Sequence, residues 1–92
     1  MVEQMENLAV FDGYNNRQVI LNYYDAEDFL WKRDGFHFIS LHLINGELSF
    51  IKKDGNNITI PLKNIDTVAK NSDFQNYYIL RKGEERLEIY FP

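Results

Sequence analysis

Three tight turns, each standing between short runs of alternating apolar and polar residues, constrain this chain more than any other feature of its sequence. They are Asn45-Gly46, Asp54-Gly55 and Lys82-Gly83. Asn and Gly adopt the positive φ angles that two-residue hairpin turns require, so such pairs between alternating runs are a strong hairpin signal. The pattern therefore predicts successive antiparallel hairpins through the C-terminal half of the chain.

The alternating runs define the expected strands. They are predicted at residues 8–12, 17–24, 36–44, 47–53, 58–62, 76–81 and 86–91. After Phe36, alternation predicts that Phe38, Ser40 and His42 share one face, and that the other face consists of His37, Ile39, Leu41 and Leu43. Pro61 has no N–H to donate, so it marks a strand end or a sheet edge. The last strand turns Leu87, Ile89 and Phe91 inward and is expected to leave an unpaired edge.

Residues 25–32 are predicted to form a short helix. Asp25 suits its N-cap, and Asp28 lies near the positive end of the helix dipole. Phe29 is expected in the core together with Phe36, Phe50 and Phe91. The elements together predict a mainly β fold: a single small antiparallel β-barrel or sandwich of about seven strands, with one short helix near residues 25–32.

A chain of 92 residues predicts a single domain over residues 1–92, with a flexible N-terminus over residues 1–6. Its composition, 45% hydrophobic and 15% aromatic, is too apolar for a disordered chain. The absence of cysteine excludes disulfides, thiolate metal sites and thiol nucleophiles, and it fits a cytoplasmic location. The acidic N-terminus lacks the pattern of a signal peptide, and no apolar run approaches the roughly 20 residues of a membrane span.

Three stretches of the sequence, taken together, form a pattern that can be compared with known folds. Residues 41–50 read as strand, tight turn and strand; residues 58–68 contain Ile60-Pro61 and then Ile65 and Val68; residues 77–91 form a closing hairpin. Over residues 36–91 the chain thereby resembles a bacterial PH-like domain. The resemblance implies a binding module without chemistry, for lipid, peptide or protein ligands.

The resemblance also raises a question about one end of the fold. PH-like domains usually close one end of their barrel with a C-terminal helix, whereas this sequence stops at Phe91-Pro92. The predicted helix at residues 25–32 is one candidate cover for that end; otherwise the end is open or is covered by another chain.

No arrangement of residues in the sequence is typical of a catalytic or metal centre, so we predict that the protein is not an enzyme and has no cofactor. His37 and His42 are five residues apart on one strand, and this odd spacing places them on opposite faces. The acidic cluster Asp25, Glu27 and Asp28 lacks the spacing of a calcium loop and is better explained as the first turn of a helix.

The charge pattern limits the class of partner. The net charge is −4, and nucleic-acid binders usually carry a basic face, so we expect no nucleic-acid partner. Cations that flank turns could form a modest basic rim made of Lys52, Lys53, Arg81 and Lys82. Solvated strand ends and edge-protecting lysines are the favoured interpretation of these four residues. A membrane surface is therefore not the expected partner.

Exposed aromatic side chains are the more informative candidates. Alternation turns Tyr90 outward, and one of Tyr77 and Tyr78 must also face out. Exposed Tyr and Trp beside Arg are typical of protein–protein hot spots, although half-buried sheet aromatics explain the pattern equally well. The candidate partner-binding residues are Trp31, Tyr77, Tyr78, Tyr90 and Arg86.

These features predict a non-catalytic protein-interaction module that acts through an exposed aromatic face or an exposed edge strand, with self-association as one form. The frequent Asn, Lys, Ile and Tyr suggest coding by an A+T-rich bacterial or phage genome. A phage or mobile-element protein that modulates a host protein is therefore one version of the hypothesis. The alternative is a PH-like domain that binds a phospholipid or phosphate ligand at a membrane surface.

Overall fold

The fold is built almost entirely of β-strands, as a computed structural model of the chain shows. The structure describes residues 2–5, 11, 13–71 and 73–92. The strands are β1 (Val2–Met5), β2 (Asn15–Tyr24), β3 (Leu30–Ile44), β4 (Glu47–Ile51), β5 (Asn57–Pro61), β6 (Thr67–Asn71), β7 (Tyr77–Lys82) and β8 (Glu85–Tyr90). The prediction of a mainly β fold is confirmed.

All eight strands belong to one antiparallel sheet with the order β1-β6-β7-β8-β2-β3-β4-β5. Its two end strands, β1 and β5, do not pair with each other in the described residues, so the sheet does not close into a barrel. Positive φ angles at Asn45, Gly55 and Gly83 mark the three predicted turns. The final strand, β8, lies between β7 and β2, so the prediction that it leaves an unpaired edge is wrong.

β3 is the longest strand and belongs to two hairpins. Its residues from Leu30 to Ser40 pair with β2, and those from Ser40 to Ile44 pair with β4. Within the described chain, residues 30–39 therefore have a neighbouring strand on one side only. We call their free side the open edge of β3.

The alternation predicted along β3 changes phase inside the strand. Phe38 and Leu41 are both fully buried although they are three residues apart, and Ile39, which was expected to share the face of Leu41, is 43% exposed. The change occurs around Ser40, the residue that pairs with both β2 and β4. We attribute it to the bend that lets one strand serve two hairpins of a curved sheet.

One hydrophobic core lies on the concave face of the sheet. Its buried members are Phe11, Tyr14, Val19, Leu21, Phe38, Leu41, Leu48, Phe50, Ile60, Val68, Tyr78, Leu80, Leu87, Ile89 and Phe91. Phe11, Tyr14 and Phe91 lie outside the strands, and the other members come from every strand from β2 to β8, so the sheet must curve around them. Phe50 and Phe91 are buried as predicted, and Phe36 packs against the cluster. Phe29 is 64% exposed, so its assignment to the core is wrong.

Residues 25–29 form a tight turn and not the start of a helix. The Asp25 carboxylate accepts hydrogen bonds from the Glu27 N–H at 2.9 Å and from the Phe29 N–H at 3.0 Å. β3 begins at Leu30, so the helix predicted at residues 25–32 is wrong. An Asp side chain can cap a helix or close a turn with similar bonds, and here the pairing of the following residues with β2 selects the turn.

The N-terminal predictions are only partly covered by the described residues. Most of the strand predicted at residues 8–12 lies outside them. β1 lies within the segment 1–6 that we expected to be flexible and pairs with β6, with Val2 opposite Asn71. The flexibility of that segment stays a prediction. β2 confirms the strand predicted at residues 17–24.

Candidate interaction surface

The turn between β2 and β3 and the first two residues of β3 present three consecutive large apolar side chains to solvent. Phe29 is 64% exposed, Leu30 38% and Trp31 58%. Single exposed apolar residues are ordinary on soluble proteins, whereas contiguous ones commonly mark interaction sites. We call residues 25–31 the hairpin tip.

Hydrogen bonds and an ion pair hold the hairpin tip in place. Besides the two bonds to its carboxylate, Asp25 donates its N–H to the Phe29 carbonyl at 3.0 Å. Asp28, whose backbone has a φ of 64°, forms an ion pair with Arg86 of β8. The tip is therefore pre-organised, which reduces the entropy lost when a partner binds to it.

A register shift sets the direction of Trp31. Tyr23 lies opposite Lys32, whereas Tyr24 lies opposite Leu30, so Trp31 is an extra residue on the β3 side of the ladder. Bulges of this kind redirect side chains. The centre of the Trp31 ring consequently lies 5.6 Å from that of Tyr23, with the two planes inclined at 45°.

A pocket of about 110 Å³ opens beside Trp31. Arg86 is one of its lining residues, and its apolar wall includes Tyr23, Trp31, Ile65, Leu80 and Leu87. Small apolar pockets with an aromatic wall and a cation are where interface anchors commonly insert. The pocket can therefore receive one apolar side chain from a partner.

Arg86 connects the pocket to the outer face of the sheet. Its guanidinium carbon lies 3.7 Å from the centre of the Tyr24 ring, and its Nε donates to the Glu88 carboxylate at 2.8 Å. Glu88 also accepts a hydrogen bond from the Tyr77 hydroxyl and is only 8% exposed. A carboxylate buried to this degree needs such partners, so these side chains hold one another in position.

Two tyrosines near the surface have raised pKa values. Burial is the larger cause for Tyr77, and the hydrogen bond to the Glu88 carboxylate further raises its pKa above the ordinary value. Burial, followed by the nearby Asp34 carboxylate, raises the pKa of Tyr23 as well. Both side chains are therefore neutral phenols at physiological pH. Tyr77 donates to Glu88, and Tyr23 supplies a wall of the pocket.

The structure brings together two of the predicted partner-binding residues, Trp31 and Arg86, which both line the pocket. Tyr77 and Tyr90 lie half-buried on the outer face with ring centres 5.6 Å apart. Tyr78 is in the core, 2% exposed, and its hydroxyl lies 2.6 Å from that of Tyr14. Its assignment to a binding surface is corrected here, because alternation turns it away from Tyr77.

Four residues of this surface escape the sequence-based prediction: Phe29 and Leu30 as exposed groups, and Tyr24 and Glu88 as neighbours of Arg86. The exposure of Phe29 and Leu30 is missed because residues 25–32 are predicted to form a helix. Glu88 lies two residues after Arg86 on a strand, and this spacing, which places both side chains on one face, is enough to predict their contact. Tyr24 reaches Arg86 only through the pairing of β2 with β8.

The four cations of the predicted basic rim lie in two parts of the sheet. Arg81 and Lys82 end β7, Lys52 and Lys53 follow β4, and β8, β2 and β3 lie between the two pairs. The Lys52 ammonium stands 5.5 Å from the centre of the Phe36 ring, whereas Lys82 lines the pocket. These positions favour separate roles for the two pairs.

The histidines also differ from their predicted placement. His37 and His42 are both exposed, because the phase change in β3 turns them to the same face of the sheet. In the part of the chain that the structure describes, no three His, Cys, Asp or Glu side chains are grouped so that they could hold a metal ion. The same residues include no helix long and apolar enough to cross a membrane.

Comparisons with models of protein families, with curated proteins and with solved structures find no match to this chain.

Proposed function

We propose that this protein is a non-catalytic protein-interaction module that binds its partner through the hairpin tip and the open edge of β3. The observation that carries the proposal is the placement of exposed Phe29, Leu30 and Trp31 beside an apolar pocket and an unpaired strand edge. One surface thereby offers two modes of recognition. Apolar side chains can act as anchors, and a partner strand can add to the sheet.

The surroundings of the hairpin tip support this role. Arg86, one of the charged residues that line the pocket, is paired with Asp28 and Glu88. Contact with the tip therefore removes apolar surface from water without stranding these charges. Burial of a Trp at the centre of an interface commonly contributes about 2 kcal/mol or more to binding.

A PH-like domain that binds a phospholipid or phosphate ligand is the second candidate, and one observation favours it. Two cations, Lys32 and Arg33, directly follow the exposed hairpin tip, a combination suited to a membrane interface. The tip itself carries three carboxylates, those of Asp25, Glu27 and Asp28, which an anionic lipid surface would repel. This acidic tip favours a protein partner.

Affinity capture followed by direct titration tests the first proposal. Immobilised protein would be exposed to extracts of low-GC bacteria, and each captured protein would be purified and titrated by calorimetry. Trp31→Ala is expected to weaken its binding roughly 30-fold, the equivalent of about 2 kcal/mol. Phe74→Ala is the matched control, because Phe74 is equally exposed at 59% but lies outside the hairpin tip. Equal affinities of the Trp31→Ala variant and the wild type would contradict the proposal.

Salt and lipid separate the two candidates. An apolar protein interface should persist in high salt, whereas binding to anionic lipid weakens as salt screens the charges. Co-sedimentation with vesicles of phosphatidylcholine, with and without phosphatidylserine, is expected to show no binding in either case. Salt-sensitive binding to the phosphatidylserine vesicles would instead support the second candidate.

A further inference from the structure

The open edge of β3 is less protected than the edge formed by β5. The Leu62 N–H points toward the β4 side, where it donates to the Gly46 carbonyl at 2.9 Å. Because backbone N–H groups alternate in direction along a strand, the N–H of residue 61 would point to the free side, and Pro61 has none. β5 is also short, with five residues. The open edge of β3 spans residues 30–39 and contains no proline. An edge of this length is a template for pairing with another strand.

The charges along the open edge are self-complementary. A two-fold axis that pairs a strand with its own copy in antiparallel fashion places one residue opposite itself. If that residue is Arg33, Lys32 of each copy lies opposite Asp34 of the other, and two opposite-charge pairs form. Lys32 and Asp34 belong to neither of the two ion pairs found in the described residues, which both use Arg86. Registers centred on neighbouring residues lose this match.

Gly35 provides a second, independent observation. It lies inside β3, where a glycine weakens a strand by roughly 0.5–1 kcal/mol relative to Ala. The chain's own packing does not require it, since the nearest atom to an added Cβ would be the Val19 carbonyl oxygen at 3.8 Å. Strand glycines often mark the close approach of another backbone. In the register centred on Arg33, Gly35 lies opposite the backbone of the second copy at Trp31.

We infer that the partner at the open edge is a second copy of this chain, paired β3 to β3 in antiparallel fashion around a two-fold axis at Arg33. The inference rests on the proposed function and specifies its occupant. The two sheets join into one across the axis, and the hairpin tips extend along the neighbouring copy. Arg33 faces its own copy at the axis, and this like-charge contact weakens the pairing.

A single introduced cysteine tests the register. The chain has no cysteine of its own, so Arg33→Cys is the only thiol in that variant. Directly opposed residues of antiparallel strands have Cα atoms roughly 4.5–5.5 Å apart, within the range of about 4.4–6.8 Å that a disulfide spans. Under mild oxidation the Arg33→Cys variant is expected to form a covalent dimer much faster than Lys53→Cys, a control in an exposed turn. Equal rates of dimer formation in the two variants would overturn the inference.

Exchanging the charges of Lys32 and Asp34 provides a second test, one that introduces no disulfide bond. Lys32→Asp and Asp34→Lys each place like charges opposite one another, and each is expected to raise the dimer dissociation constant about tenfold. The double variant Lys32→Asp/Asp34→Lys restores both pairs and should regain the wild-type constant. Sedimentation equilibrium measures all four proteins. A double variant that dimerises no better than the single ones would contradict the register.

The two proposals fail in distinguishable ways. A chain that stays monomeric up to millimolar concentration, while a captured protein still requires Trp31, overturns the self-pairing and leaves the interaction module in place. If neither self-association nor capture depends on residues of the hairpin tip or the open edge, the proposed function itself is wrong.

Discussion

Arg86 contacts three different parts of the surface through one planar group. It stacks on Tyr24, donates to Glu88 and pairs with Asp28. Its side chain is 18% exposed and that of Glu88 only 11%, whereas that of Asp28 is 72% exposed. The contact with Glu88 therefore has little competition from water, and the contact with Asp28 has much.

This difference predicts unequal effects of two substitutions. Arg86→Ala leaves the buried Glu88 carboxylate without its cation and should lower the free energy of unfolding by about 2–3 kcal/mol. Asp28→Asn removes the exposed partner only, keeps a residue that tolerates positive φ, and should cost less than about 1 kcal/mol. Urea unfolding of both variants measures the two values. Equal losses would show that the outer-face network does not depend on Glu88.

Single residues also show where alternation is a reliable guide. It predicts that one of Tyr77 and Tyr78 faces solvent, and the structure places Tyr77 outside and Tyr78 in the core. The sequence could not choose between them, because both are tyrosines and neither has a distinguishing neighbour. The choice follows from the register, in which Tyr78 lies opposite the fully buried Ile89.

At the scale of elements, the β2–β3 hairpin is where prediction and structure differ most. Residues 25–32 have a capping Asp, which is compatible with a helix N-terminus and with a tight turn alike. β2 then pairs with β3 over most of its length, and this long ladder outweighs a helix of two turns. Local preferences decided where the chain turns, and strand pairing decided that this segment is a tight turn and not a helix.

The hydrogen bonds to the Asp25 carboxylate predict how a substitution at this residue affects the stability of the turn. Asp25→Ala removes the acceptor of the Glu27 and Phe29 N–H groups and should cost about 1 kcal/mol. Hydrogen exchange of the Phe29 amide should accelerate about fivefold, because the tip opens more often. Asp25→Asn is the control, since its carbonyl oxygen can still accept both bonds. Indistinguishable exchange in the two variants would mean that the side-chain bonds do not hold the tip.

At the scale of the whole molecule, Phe91, which directly follows β8, completes the core. The Phe91 ring stacks on that of Tyr14 with centres 4.0 Å apart and lies 5.9 Å from Phe38 and 6.1 Å from Tyr78. Its N–H also donates to the Asn76 carbonyl at 2.9 Å. Phe91 therefore links the segment before β2 with strands from both halves of the sheet.

A substitution at this position should affect the entire domain. Phe91→Ala is expected to lower the free energy of unfolding by about 3–5 kcal/mol, a large share of what a small domain has. Phe74→Ala, at a residue that is 59% exposed, should change it by less than about 1 kcal/mol. Denaturant unfolding measures both. A small effect of Phe91→Ala would show that the core does not depend on the end of the last strand.

The sequence by itself determined the turns at residues 45–46, 54–55 and 82–83, the strands around them and the inward direction of Leu87, Ile89 and Phe91. These features depend on local φ preferences and on a period of two, which neighbouring residues specify. Only the tertiary structure decided that β3 bends between two partners, that Trp31 stands at a bulge and that one long strand edge stays open. Those features arise from pairing between residues distant in the chain, and no local pattern records which strand a given edge will meet.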